Sequence, residues 1–348
     1  MTPFVLVFIG PVLLTIAIAL GGAWVFVPPA VLFGIVPAID QLLPPNHTNT
    51  PGAPALRWLP MLFVPVHLGV QAWALWAIST GAWTPVETIA LAVAMGFSGA
   101  LAINVAHELM HRPGGAEQTL AAALMTSVSY THFCVEHVQG HHKHVATARD
   151  PASSRAGESL YAYLPRTLVG SLRSAWAIEA ARSGPGPRNR LVRYAAVYAL
   201  LVAGILTWLG PLGLALFLVQ SVVAILFLET VNYVEHYGLV RAEIAPGRPE
   251  RVKPYHSWNS SHRVSNWLLL NLARHSDHHA FAARPFMELR HHDDAPQLPG
   301  SYSAMLMLAT LPPLWFRVMD PRLEAATRRA AAPARTATSH APPGAAAT

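Results

Sequence analysis

The sequence predicts an all-α, polytopic membrane protein with about six transmembrane helices and a histidine-rich polar domain on one side of the bilayer. Three observations carry that reading. Of 348 residues, 53% are hydrophobic and only 12% are charged, against about 25% charged in an average soluble domain. Apolar runs close to 20 residues long recur through the first half of the chain and return around 192–233, the length a helix needs to cross a bilayer. Finally, of 24 Lys and Arg residues only Arg57 precedes Arg112; the others lie in 112–193, 237–300 and the C-terminal stretch. A net charge of +6 would suit a nucleic-acid binder, but membrane topology explains the one-sided placement better, so no nucleic-acid partner is expected.

The spans read as 4–20, 23–43, 57–79, 86–108, 192–209 and 211–233. Turn signals separate them: "GG" at 21–22, the Pro-rich "LPPNHTNTPGAP" at 43–54, "STGAWTP" at 79–85 and "GP" at 210–211. The first run lacks a basic start and leads straight into further apolar sequence, unlike a removable signal peptide. The second is interrupted by Pro28, Pro29 and Pro37. The run 118–130 is apolar but too short to span, which places it in the interface or the polar domain. Six spans put both large polar segments on the side of the N terminus, and the positive-inside rule makes that side cytoplasmic. The expected organisation is four spans in 1–111, a polar segment at 112–193, two spans in 194–236, a second polar segment at 237–324, and a disordered tail at 325–348, where "AATRRAAAPARTATSHAPPGAAAT" has no apolar periodicity.

One cysteine, Cys134, excludes an intramolecular disulfide, a four-cysteine metal site and a built-in rubredoxin- or ferredoxin-like module. Electrons, if needed, must come from a separate carrier.

Histidines carry the chemical signal. His107 and His111 stand four apart in "AHELMHR", on one face of the helix continuing from the fourth span. His137, His141 and His142 stand in "EHVQGHH", and His275, His278 and His279 in "LARHSDHHAF". His236 closes the sixth span in "NYVEHYG". Imidazole is the commonest neutral nitrogen ligand, and spacings of three or four let one helix offer two ligands to one ion. Nine such residues exceed a mononuclear site, so two metal ions are the economical reading. Glu108, Glu136, Asp150, Glu235 and Asp277 accompany the clusters and are expected to hold metal-bound imidazoles by hydrogen bonds; direct ligation by one or two is open. His47, His67, His256, His291, His292 and His340 read as ordinary surface or hydrogen-bonded histidines. "HELMH" by itself is the zinc-protease pattern with Glu108 as base, but a zinc protease needs only one further ligand. A metal transporter would carry ligands near the bilayer midplane, where only His67 falls.

The boxes HxxxH, HxxxHH and HxxHH resemble the integral-membrane fatty acid desaturases and hydroxylases, which are non-haem di-iron enzymes. The surrounding words are more specific. "HELMHR" at 107–112, "EHVQGHHKHVATARDPASSR" at 136–155, "NYVEHYGL" at 232–239, "SWNSSHRVSNWLLLNLARHSDHHA" at 257–280 and "PPLWFRVMDPR" at 312–322 resemble the membrane-bound alkane hydroxylases. The likeness covers most of 86–322, with the first two spans matching only in character.

That resemblance implies two irons held by nine histidines: His107, His111, His137, His141, His142, His236, His275, His278 and His279. His132, His144 and His262 lie in the matching segments but off the ligand pattern. It implies hydroxylation of the terminal methyl group of an n-alkane, medium-chain by expectation, to a primary alcohol with O2. Electrons come from a separate rubredoxin and its reductase, and the enzyme sits in the bacterial inner membrane with the histidines on the cytoplasmic side. Oxidation of an aromatic methyl group, as in xylene monooxygenase, is the near alternative; a desaturase fits the words less well. Trp58, Trp73, Trp76 and Trp83 read as interfacial anchors or as walls of an alkyl channel. Arg149, Arg155 and Arg166 belong to a basic face suited to an acidic carrier.

Overall fold

A computed structural model describes residues 2–331. The first four spans are α1 (Pro3–Leu20), α2 (Gly22–Leu42), α3 (Pro54–Thr80) and α4 (Pro85–Met110). Each starts where the sequence offers a start. Thr2 caps α1 by accepting from the Phe4 amide. At α4, Thr84 and Glu87 form a capping box, with Pro85 in the first turn where its missing N–H costs nothing. The prolines of α2 do not end it. The chain passes through a π turn at Val31–Ile35 and continues, the local adjustment that lets a helix absorb a misplaced donor.

The last apolar segment spans Arg190 to His236, 47 residues, which as one straight helix would be about 70 Å long at 1.5 Å per residue, twice a bilayer core of about 30 Å. It does not run straight. Gly210 takes φ 69° and ψ −169°, a left-handed conformation open to glycine, and Pro211 follows. Tyr198 and Phe217, on opposite sides of this point, pack with ring centroids 6.3 Å apart. The segment is therefore a hairpin, α8a (190–209) and α8b (211–236), so the five helices long and apolar enough to cross a membrane comprise six apolar segments.

Helix α4 is the axis of the bundle: 72% of its apolar window is buried, against 22–39% for the other spans. At one end of the bundle, Gly22 at the α1–α2 turn donates to Glu87. At the other, Asn46 N–H donates to the Ser261 carbonyl and the Arg274 guanidinium donates to the Asn46 carbonyl. The 43–54 loop thus lies on the end that carries the polar segments.

That end is built from α5 (Gly115–Ser127), a short broken helix at 133–144, α7 (Leu160–Ser183), α9 (Arg263–Leu268), α10 (His275–Ala280), α11 (Tyr302–Ala309) and α12 (Pro312–Ala331), with the broken helix counted as α6. A two-stranded ribbon, β1 (Glu243–Ala245) and β2 (Arg248–Pro249), is the only strand pairing among the described residues besides one isolated bridge. Helix α7 was not foreseen; its apolar positions are too interrupted by Arg and Ser to read as a span. Helix α12 carries regular structure across 325–331, where composition predicted disorder. Residues 332–348, including His340, lie outside the described residues.

Candidate metal centre

Four elements deliver the nine histidines to one place. His107 lies in the last turn of α4 and His111 caps it. His236 ends α8b, and α10 supplies His275, His278 and His279. The middle box is the unusual one. Residues His137–His141 form a π turn inside α6, which widens the repeat from i+4 towards i+5. That turn packs closely against α7: a Cβ on Gly140 would lie 2.5 Å from Glu136 Oε1 and 3.0 Å from Ser174 Oγ.

The result is two groups. His107, His111, His137, His142 and His278 form one; His141, His236, His275 and His279 form the other. Within each, one nitrogen per residue lies within 4.8 Å of all the others. The boxes do not map one to one onto the groups. The π turn sends His137 and His142 together and His141 to the other group. In α10, His275 and His279 go together and His278 turns to the first group.

Neighbouring Nε2 atoms face one another: His111–His137 at 3.1 Å, His137–His142 at 3.1 Å, His142–His278 at 3.0 Å, His141–His279 at 3.2 Å, His236–His275 at 3.2 Å and His275–His279 at 2.9 Å. Two nitrogens each about 2.0–2.1 Å from one ion, at a right angle, stand about 3 Å apart. Hydrogen bonding alone cannot account for the arrangement, because neutral imidazole has one N–H and one lone pair. Burial, reinforced by the charges neighbouring imidazoles would carry, holds His137, His142, His275, His278 and His279 well below the usual histidine range. They are neutral, with lone pairs available. For His141 burial also works downward, but Asp150, Glu136 and Glu235 outweigh it and raise its pKa. An all-imidazole donor set fits iron among other divalent metals.

The five carboxylates behave differently from one another. Asp150 Oδ2 accepts from His141 Nδ1 at 2.9 Å and is itself held by the Ser153 hydroxyl at 2.6 Å, which fixes the tautomer that leaves Nε2 free. Glu235 Oε2 stands 3.2 Å from Nε2 of His275, the ion-facing nitrogen, while its Oε1 accepts from Tyr302 at 2.8 Å. The other three hydrogen-bond none of the nine. Glu108 pairs with Arg112 at 3.0 Å and accepts from the Phe286 amide at 3.2 Å, so it is turned away from the position of a hydrolytic base. Asp277 binds Arg284, the Arg290 amide and His292. Glu136 Oε1 has no partner, and burial with Asp150 nearby pushes its carboxyl up to about 8.

The remaining histidines find ordinary partners or stay outside the groups. His67 contacts Ser98 and stacks on Phe63; His291 stacks on His47 and contacts Ser261; His292 holds Asp277; His262 contacts Ser260; His256 contacts Glu250. His132 packs on Tyr130, and His144 borders an outer groove.

An apolar cavity reaches both groups, with His107, His137 and His275 in its wall. Its sides come from α4, α8b, α9 and α11, with Phe97, Leu101, Phe227, Val231, Leu268 and Leu306 among them. Asp40 at the end of α2 positions α9 by accepting from the Val264 and Ser265 amides and the Ser265 hydroxyl. Asn104, one turn before His107, lines the cavity with both amide atoms unpaired. Sequence reasoning missed this wall; the signal lay in the apolar residues one and two turns before each histidine. The tryptophans are elsewhere: Trp58, Trp73 and Trp76 face outward, and Trp83 donates to the Ala77 carbonyl.

The fatty acid desaturase family model matches residues 81–309. Alkane 1-monooxygenase 2 of Pseudomonas aeruginosa is 41% identical over 320 residues, covering 87% of this chain and 85% of that protein. Alkane 1-monooxygenase of Acinetobacter baylyi is 38% identical over 319 residues, covering 88% and 77%. The xylene/toluene monooxygenase hydroxylase component of Pseudomonas putida is 29% identical over 325 residues, covering 90% and 86%. Family and histidine clusters together imply iron as the metal. The chain is thus a multi-pass membrane oxidoreductase that belongs to the alkane 1-monooxygenase family, within the fatty acid desaturase superfamily.

Proposed function

We propose that this chain hydroxylates the terminal methyl group of medium-chain n-alkanes to primary alcohols, using O2 and electrons from a separate rubredoxin reduced by its reductase. The observation that carries the reading is the apolar cavity that ends on both histidine groups. Its wall on α4 runs from Phe97 to His107, ten residues and about 15 Å of helix, the length of a medium alkyl chain.

Two irons are proposed, one for each histidine group, with Glu235 placed to add an oxygen ligand to the second. Iron bound there supplies activation of O2 and cleavage of the methyl C–H bond. The chain's own residues do the rest. The Leu and Phe side chains of the cavity align the alkyl chain and exclude water. Asp150 holds the Nδ1 proton of His141 so that Nε2 faces inward. Asn104 offers the one unpaired amide beside His107 and is placed to hydrogen-bond the product hydroxyl.

The basic segments argue for a cytoplasmic histidine cluster in a bacterial inner membrane. For the carrier, Lys143, His144, Arg149 and Arg241 border a groove directly behind His141 and His142. Arg149 and Arg155 are exposed, whereas Arg166 is occupied by Glu158 and the Pro151 and Ser153 carbonyls. Docking is therefore assigned to the first two and not to Arg166.

The test is turnover of octane by purified protein supplied with rubredoxin, its reductase and NADH. Formation of 1-octanol is expected. Faster oxidation of p-xylene than of any alkane would move the assignment to aromatic methyl groups, and turnover of neither would overturn it.

A further inference from the structure

The buried core behind the second histidine group has an aromatic composition unlike that of the substrate cavity. Its six fully packed aromatic residues are Tyr163, Tyr233, Tyr237, Trp258, Tyr302 and Trp315, with no phenylalanine among them. The aromatic residues lining the cavity are Phe97, Phe133 and Phe227, with Tyr302 shared and Phe227 packed against the core from the cavity side. Phenylalanine packs as well as tyrosine and buries no hydroxyl, and a buried hydroxyl has to be given a partner. Packing does not select tyrosine and tryptophan at every one of six positions.

These side chains belong to one packed cluster that touches the second histidine group at two points. Tyr302 donates to Glu235, whose other oxygen stands at His275, and Tyr237 directly follows His236. Ring centroids are 5.6 Å apart for Tyr233–Tyr237, 5.1 Å for Tyr233–Trp315 and 5.3 Å for Tyr237–Trp315. The cluster ends at a proton acceptor: the Tyr237 hydroxyl donates to Asp320 at 2.7 Å, and Asp320 is half-buried at the rim of α12. The Trp315 indole N–H, by contrast, has no partner.

We propose that this Tyr/Trp core drains oxidising equivalents from the metal centre when O2 is activated without an alkane in the cavity. The proposal rests on the iron-and-dioxygen reading above. The balance is that of O2 reduced to two waters with four electrons and four protons. The carrier supplies two electrons, and Tyr237 and Trp315 supply one each. As Tyr237 is oxidised its phenolic proton passes to Asp320; the four protons taken up by O2 come from solvent. A one-electron reductant such as ascorbate then restores both side chains. Without this route the same equivalents would be spent on the histidines.

The experiment uses iron-loaded, detergent-purified protein, reduced and exposed to O2 with no alkane, frozen within the first turnover and examined by electron paramagnetic resonance. A tyrosyl or tryptophanyl radical is expected in the natural protein. In Y237F/W315F it should be lost or displaced, and iron-site survival over repeated substrate-free exposures should fall several-fold, while turnover at saturating octane is unchanged. Peptide mapping of the natural protein after such exposure, which needs no variant, should find oxidation at Trp315 and Tyr237. No protein radical in the natural protein, or the same radical and survival in the variant, overturns the proposal. A radical from a preparation that hydroxylates no alkane would support it and count against the substrate assignment instead.

Discussion

The two histidine groups differ in how far they are sealed. All four residues of His141, His236, His275 and His279 are buried, whereas in the other group His111 and His142 are only half-buried. A polar groove bordered by Arg57, Glu108, Arg112 and Arg284 reaches His111, while the sealed group is backed by Asp150 and Glu235. One group is open to exchange with solvent from the side opposite the alkyl cavity. The other is fixed by carboxylates and packed on the Tyr/Trp core. Both border the same cavity, so the asymmetry concerns access and restraint, not which group can meet the substrate.

The sharpest way to break this comparison uses two adjacent residues. His278→Ala and His279→Ala alter neighbours on one turn of α10 that point into different groups. Each is expected to lower bound iron to about half and activity by at least about 100-fold, beyond the range typical of outer-shell changes, with membrane insertion intact. Activity close to the natural level in either variant would remove that residue from the ligand set. A milder probe leaves the chain unaltered. A water-soluble chelator should remove metal in two phases, the first from the group reached through the groove at His111; a single phase would deny the difference in sealing.

Asp150→Asn tests restraint alone, since the amide can still occupy the space but cannot hold His141 in the same way. A loss of about 10–100-fold in metal affinity or activity is expected, confined to the sealed group. Glu108→Gln should have the smallest effect, within a few-fold, because Glu108 faces Arg112 and not the ions. A collapse of activity there, with zinc bound, would revive the hydrolase reading of "HELMH".

Much of this was legible in the sequence for local reasons. Span lengths follow from uninterrupted apolar runs, and the hairpin of the last two spans follows from Gly210 and Pro211. Eight of the nine grouped histidines stand at ligand spacing, a pattern that packing does not generate. What sequence spacing left open is which histidines go together. A count of four assumes an α-helical repeat, and the π turn at His137–His141 changes the repeat locally without leaving a compositional mark. The roles of the carboxylates were equally hidden. Glu108 and Asp277 flank histidines in sequence, yet Glu108 is claimed by Arg112, four residues on, and Asp277 by Arg284 and His292, which the fold of the loop after α10 brings to it. The alkyl cavity was missed for the same reason: its wall draws residues from helices far apart in the chain, and of the tryptophans that stood out by type Trp58, Trp73 and Trp76 face outward instead.

The most direct test of two independent metal groups is the metal content of the purified natural protein, measured by elemental mass spectrometry against protein concentration. Two separate histidine groups predict close to two irons per chain. A single iron, or one zinc and no iron, would contradict them.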